Sequence, residues 1–217
     1  MYHYVQDKEY IKQSYSICAD LVNQLVQRLK QDDIQTKMTA VGSKKRGLIT
    51  QNEKEPIDYD FNLIVLNAHQ YIGRELKQRI MNAFNEVLRE NGWGECRDST
   101  SVITTEKRVL MKGNRTPFSI DIGIVKVDSY GWYRLIHFKT GWAVCDQYIW
   151  QPAPNSGDLE RKEKYLKPDY WIKVRDAYLE KKNMYLRRND HNHPSFVCYI
   201  EALNEVYYAV RYGNRYY

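Results

Sequence analysis

The chain has 217 residues, 43% of them apolar and 28% charged, which is enough for one large hydrophobic core and too ordinary for a disordered, collagen-like or coiled-coil protein. Its 33 Lys and Arg against 27 Asp and Glu leave a net charge of +6, an excess that suits anionic partners without demanding a polynucleotide. The apolar run Leu63-Ile64-Val65-Leu66, like every other in the chain, is far short of the roughly 20 residues of a membrane helix, and the acid-bearing N-terminus has no signal-peptide stretch; the expectation is a cytoplasmic chain with no membrane partner.

In chain order, Ile11, Tyr15, Cys18, Val22, Leu25 and Leu29 recur at spacings of three and four, the stripe of an amphipathic helix, ended by Asp32-Asp33. Residues 34–41 alternate loosely as a strand leading into Gly42-Ser43. A polar loop runs from Gly47 to Pro56, and Ile57–Leu66 then reads as a strand that becomes wholly apolar at its end, as a strand buried on both faces does. Ile72, Leu76, Ile80, Phe84 and Val87 predict a long helix within 68–90, stopped by Asn91-Gly92. Two further strands are expected near 101–111 and 117–127. The order helix, strand, strand, helix, strand, strand implies an α/β (α+β) core with a mixed sheet.

After Asp128 the composition shifts: 13 of the 19 Tyr and four of the five Trp lie beyond residue 129. An aromatic, turn-rich stretch through Trp132, Trp142, Trp150 and Pro152-Ala153-Pro154 gives way to helices expected over 169–186 and from Ser195, a helix cap after Pro194. The expected division is therefore a core over 1–128 and a small, mainly helical region over 129–217. Cys18, Cys96, Cys145 and Cys198 form no CxxC pair or zinc-spaced cluster, and four buried thiols are expected.

The chemistry lies in the strands. Residues two apart on a strand point the same way, so Asp58 and Asp60 share one face. Two adjacent carboxylates repel unless a cation compensates, and Mg²⁺ held by carboxylates and phosphates is such a compensator. In Phe118-Ser119-Ile120-Asp121-Ile122-Gly123-Ile124 the apolar residues take one face and leave Asp121 and Gly123 on the other, with open space expected beside Asp121. If the two strands are neighbours, three carboxylates converge as in a two-metal phosphoryl-transfer site. Upstream, Gly42-Ser43-Lys44-Lys45-Arg46 sets a flexible residue, a hydroxyl and three cations directly after a strand, where backbone N–H groups can cradle phosphates.

A strand ending in Gly-Ser, a second carrying Asp-x-Asp, a helix, and a later strand with one inward Asp resembles the DNA polymerase β-like nucleotidyltransferase superfamily over roughly residues 11–128; a similar core occurs in cyclic GMP-AMP synthase and oligoadenylate synthase. The resemblance implies an NTP substrate whose phosphates meet Gly42, Ser43, Lys44 and Lys45. It further implies two Mg²⁺ ions, with Mn²⁺ as a substitute, on Asp58, Asp60 and Asp121, which form the catalytic set. The expected reaction moves a nucleoside monophosphate from an NTP to a hydroxyl acceptor, a small molecule or a nucleotide, and releases pyrophosphate. Synthesis of a short or cyclic oligonucleotide is the alternative within the class. An idle module that binds nucleotide or RNA is the alternative outside it, and RNA is not the favoured partner. The 14 residues that separate Ser43 from Asp58 make a long gap for the family and mark 51–56 as an insertion.

Plainer readings cover the other features. His191-Asn192-His193 sits among Asn189, Asp190 and Pro194 as a loop before a helix rather than a metal site. The basic residues between Arg161 and Arg188 are interleaved with acids and read as exposed helical faces before any RNA track. The late aromatics are expected mostly in the core.

Overall fold

The computed structural model describes residues 1–153, 156–190 and 193–213. The elements run β1 (Tyr2–Tyr4), α1 (Lys8–Gln31), β2 (Thr36–Ala40), α2 (Gly42–Arg46), β3 (Thr50–Asn52), β4 (Ile57–Val65), α3 (Gly73–Glu90), β5 (Arg97–Asp98), β6 (Ile103–Thr104), β7 (Phe118–Asp128), β8 (Gly131–Phe138), β9 (Gln147–Pro152), α4 (Ser156–Leu166), α5 (Trp171–Arg187) and α6 (Ser195–Tyr212). They form two compact units, the larger made of 6–47 and 54–153, the smaller of 1–5, 48–53 and 154–217. No helix among the described residues is long and apolar enough to cross a membrane.

The larger unit is a mixed sheet of seven strands in the order β2-β4-β7-β6-β5, with β8 added to β7 and β9 to β8. Its α+β character is as expected. The two longest strands, β4 and β7, run parallel, with Ile57 opposite Phe118 and Ile64 opposite Val125. Along β4, Ile57, Tyr59, Phe61, Leu63 and Val65 are buried while the residues between them stay open. The strand is thus buried on one face, because α1 and α3 cover only that side, and the expectation of burial on both faces is corrected. The covering helices show why. Asp7 caps α1 by accepting the Tyr10 N–H at 2.9 Å, and the α1 stripe Tyr10, Cys18, Leu21, Val22, Leu25 and Leu29 is buried. On α3 the stripe is Leu76, Ile80, Ala83, Phe84, Val87 and Leu88. Tyr59 is fully buried beneath α1 and satisfies its hydroxyl at Ser14 Oγ, 2.7 Å away, as a buried phenol must.

Three boundaries differ from expectation. The division expected at residue 128 falls at 153, because β8 pairs antiparallel with the end of β7 and β9 with β8, so the aromatic stretch is a hairpin of the sheet. The strand expected over 101–111 is only Ile103–Thr104, with an isolated bridge at Arg108. The polar loop 47–56 contains β3, which pairs with β1 at the N-terminus, a long-range ladder that no local pattern announces. Cys145 is exposed, so three of the four thiols are buried, and Trp142 at 76% exposure departs from the expected core role.

The smaller unit packs α4, α5 and α6 with the β1–β3 ladder around Leu48, Leu159, Leu166, Val174, Tyr178, Tyr199, Leu203 and Val206. Asn183 behaves like an extra strand residue: its side-chain oxygen accepts the Tyr2 N–H at 2.7 Å and its amide donates to the Tyr2 carbonyl at 3.0 Å. Helix α6 begins at Ser195, but Pro194 takes the cap position without a side-chain bond. His191 and Asn192, the turn read as a plain loop, lie outside the described residues, as does Pro154.

Candidate active site

Strand register builds the site. Asp60 lies directly opposite Asp121, Asp58 opposite Ser119 and Asn62 opposite Gly123, and paired residues of adjacent strands share a face. The three carboxylates therefore stand side by side on the face that α1 and α3 leave open. Further along the same row, Thr104 of β6 pairs with Asp121 and Arg97 of β5 pairs with Thr104.

Hydroxyls hold the outer acids. Ser119 Oγ donates to Asp58 Oδ1, and Thr104 Oγ1 donates to Asp121 Oδ1 at 2.7 Å. Asp60, the most enclosed of the three, accepts no side-chain hydrogen bond among the described residues, and its carboxyl is pushed up to about 6. Burial is the main cause, followed by the charges of Asp121 and Asp58, with Arg134 and Arg46 pulling the other way. Asp121 is also raised, first by burial and then by Asp58, against the Thr104 bond. Unpaired anions gathered in a half-buried row are strained ground for carboxylates and favourable ground for a cation.

Gly42 closes the other side of the row. Its φ is +65°, in the left-handed region, and a Cβ there would stand 1.9 Å from Asp60 Oδ2, so only glycine lets the β2–α2 turn approach this carboxylate. The turn is also tied to β4 by the bond from Val41 N–H to the Asp60 carbonyl at 3.0 Å. Of the other residues read as phosphate-binding, Ser43 occupies the first turn of α2, and Lys45 is exposed. Lys44 is turned away, its ammonium 4.9 Å from the centre of the Tyr15 ring on α1.

A cavity of about 480 Å³ opens over the β7–β6–β5 side of the row, lined by Asp58, Asp121, Ser119 and Thr104 together with Arg97, Glu106 and Lys107. That volume is in the range of small-ligand sites. Gly123 does not leave open space as expected. A Cβ there would be 3.2 Å from Asn62 Oδ1 and 3.3 Å from Arg134 Cζ, because the Arg134 guanidinium from β8 fills that gap.

The donor set is all oxygen, the chemistry that a hard divalent cation such as Mg²⁺ takes. Asp60 is half-buried without a compensating side-chain bond, so the residues fit such an ion. Among the described residues, no three His, Cys, Asp or Glu side chains are gathered closely enough to hold a metal ion by themselves; the acids form an open row with Asp58 and Asp121 bonded to hydroxyls. An open row leaves coordination positions to be filled by substrate oxygens.

Period-two reasoning, which placed Gly123 beside Asp121, would on one further step from the acids have found Asn62 and Ser119. Arg134, Thr104, Arg97 and Lys107 carry no such signal, because they reach the row only through strand pairing.

No family model matches the chain, and no curated protein matches its sequence. Solved structures do match. CdnC of E. coli MS115-1, in a complex with HORMA-deltaN, is 14% identical over 91% of this chain and 58% of its own, with a TM-score of 0.57. The CdnE cyclic dinucleotide synthase of Elizabethkingia meningoseptica, with GTP and Apcpp, is 14% identical over 86% and 68%, with a TM-score of 0.54. The cyclic AMP-GMP synthase DncV of Vibrio cholerae, with the linear intermediate pppA(3′,5′)pG, is 11% identical over 80% and 47%, with a TM-score of 0.56. The chain thus spans about half to two thirds of the length of these proteins. It shares their fold.

Proposed function

We propose that this chain transfers a nucleoside monophosphate from an NTP to a hydroxyl acceptor, with Asp58, Asp60 and Asp121 as the catalytic carboxylates. The observation that carries this reading is the parallel register that sets Asp60 against Asp121, with Asp58 beside them and Gly42 pressed onto the Asp60 carboxylate. Asp58 and Asp60 would hold Mg²⁺ on the donor side, and Asp121 would share the acceptor side. Mg²⁺ bound there would neutralise the triphosphate and polarise the transferring phosphate.

The chain's own groups divide the remaining work. The N–H groups of the Gly42-Ser43 turn and the Lys45 charge orient the β- and γ-phosphates. Thr104 fixes Asp121 through Oδ1 and leaves Oδ2 to take the acceptor's hydroxyl proton. The acceptor oxygen forms its bond to the α-phosphorus as the α–β phosphoanhydride breaks, and pyrophosphate carries away the electron pair. Positioning and charge neutralisation suffice, so no nucleophilic side chain is required.

A second reading, in which the acceptor is itself a nucleotide and the product a short or cyclic oligonucleotide, is favoured by one observation. Arg97 and Lys107 line the cavity beside Asp121, and neither side chain has an ion pair among the described residues; cations on the acceptor side suit an acceptor that carries phosphate. Both readings are tested by incubating the protein with each α-labelled NTP, Mg²⁺ and either NTPs alone or a cell extract. Label in a nucleotide product from NTPs alone supports the second reading, and label appearing only with extract supports a separate acceptor. No label and no pyrophosphate under either condition would overturn nucleotidyl transfer.

A further inference from the structure

We propose that Arg134 is a built-in counter-charge that keeps the acid row from taking up a divalent cation alone, so that the row fills only together with a triphosphate. The inference rests on the assignment of Asp58, Asp60 and Asp121 as metal-holding acids. It adds a residue, on a strand outside the sequence pattern, that decides when they bind.

Placement comes first. β8 pairs with β7 so that Arg134 lies opposite Val125, on the same face as Gly123 and Asp121. The missing side chain at Gly123 receives the guanidinium, and Nη2 donates to Asn62 Oδ1 at 3.2 Å. This seat is specific: Asn62 lies one period beyond Asp60 on β4, and Gly123 one period beyond Asp121 on β7. The charge therefore sits at a fixed place at the inner end of the row.

Energetics then say what holds it there. Arg134 Nε is buried without an acceptor among the described residues, so hydrogen bonds satisfy the guanidinium only in part. Burial weakens the arginine's hold on its proton, and the attraction of Asp60 offsets that only in part. Arg134 and Asp60 nonetheless form no contact ion pair among the described residues. A contact pair would block the carboxylate, whereas a stand-off charge leaves its oxygens accessible and lowers their pull on a second cation.

The consequence is conditional binding. A row of three carboxylates with Arg134, and also Arg46 of α2, acting on its central Asp60 attracts a lone divalent ion less than three bare carboxylates would. A triphosphate adds several negative charges to the same space and restores the attraction. The guanidinium is seated against Gly123 and bonded to Asn62.

The test measures Mn²⁺ binding to the full chain by calorimetry, first without nucleotide and then with a non-hydrolysable NTP analogue, for the native protein, Arg134→Met, Arg134→Gln and Arg134→Lys, each checked by thermal melting. Without nucleotide, the two neutral variants should bind Mn²⁺ about tenfold more tightly than native, the scale of one nearby charge at a high effective dielectric. Arg134→Lys should stay near native, and the gap should narrow when the analogue is present. Folded neutral variants that bind Mn²⁺ no more tightly than native would overturn the counter-charge. So would a Lys variant that behaves like Met, since lost packing would then explain both. Asp60→Asn separates the two levels: if it leaves Mn²⁺ binding with the analogue unchanged, the metal assignment falls and the inference with it.

Discussion

Two clusters of charge lie on opposite faces of one sheet and are built on opposite terms. On the helix-covered face, Lys77 of α3 is 2% exposed and bonds Asp98 at 2.5 Å and the Ser99 carbonyl at 2.8 Å. His137 lies between two acids, with Nδ1 2.7 Å from Asp98 and Nε2 2.9 Å from Asp146, and stacks on Tyr148. The Lys77 ammonium and both ring nitrogens of His137 each face a carboxylate. On the open face, three acids meet two hydroxyls and a guanidinium that stands off. A charge cluster that serves the fold is closed with partners, because a buried unpaired charge is costly. The open cluster keeps its deficit for something that arrives later.

The sharpest way to break this comparison is to neutralise one charge on each face. Asp60→Asn should slow nucleotidyl transfer about 1,000-fold, some 4 kcal/mol of transition-state stabilisation, while the protein stays folded; the check is the transfer rate beside a melting curve. A folded variant with native turnover would end the assignment. Asp98→Ala should do the reverse. It strands buried Lys77 and removes one partner of His137, and should cost about 3 kcal/mol of stability, read as a lowered denaturation midpoint. A stability loss as large for Asp60→Asn would erase the distinction between the faces.

Gly42 probes the edge between fold and site. Gly42→Val would drive a Cβ into Asp60 Oδ2 and force a backbone region that β-branched residues avoid. NTP affinity should fall about 100-fold, near 2.7 kcal/mol, whereas Ser43→Ala, which deletes one hydroxyl, should cost about tenfold or less. Equilibrium binding of a non-hydrolysable NTP decides it, and equal losses would show that the triphosphate does not approach this turn closely.

The deficit on the open face should also appear as pH dependence. Asp60 titrates near 6 in the folded, metal-free protein and near 4 in an unfolded chain. Between those values the folded state holds a proton that the unfolded state has lost, so this group makes stability rise as pH falls from above 6 towards 4. With chelator present, Asp60→Asn should flatten that rise and gain on the order of 1–2 kcal/mol at neutral pH, a few degrees in Tm. Melting from pH 5 to 8 with and without the substitution is the measurement; a steeper slope in the variant would have the wrong sign.

The two faces differ in how far they could be read in advance. The alternation along β4 and β7 is local, so Asp58, Asp60 and Asp121 were legible as a shared face, as were the helical stripes of α1 and α3. Asp98, His137 and Asp146 are 39 and nine residues apart and meet only because β5, β8 and the turn before β9 converge. The β8–β9 hairpin was hidden by its own composition, since Trp132, Tyr133, Trp150 and their neighbours do not alternate cleanly between buried and exposed. Arg134 was invisible for the same reason as β3: strand pairing at long range leaves no spacing in the sequence.

The smallest expected effect tests whether the hydroxyls on the open face serve the reaction or merely fill bonds. Thr104 is half-buried, and Thr104→Val keeps its shape and β-branching, so the β5–β6–β7 edge should hold and Tm should shift little. What disappears is the donor to Asp121 Oδ1. If that bond positions Asp121 for the acceptor's proton, turnover should drop by about three- to tenfold, the scale of one hydrogen bond of roughly 1 kcal/mol. NTP binding should stay native, because Asp121 acts on the acceptor side. Thr104→Ser restores the hydroxyl and should recover most of the rate. A Val variant with native turnover, or a loss that Ser does not recover, would make Thr104 a filler of the sheet edge and leave Asp121 oriented by its strand alone.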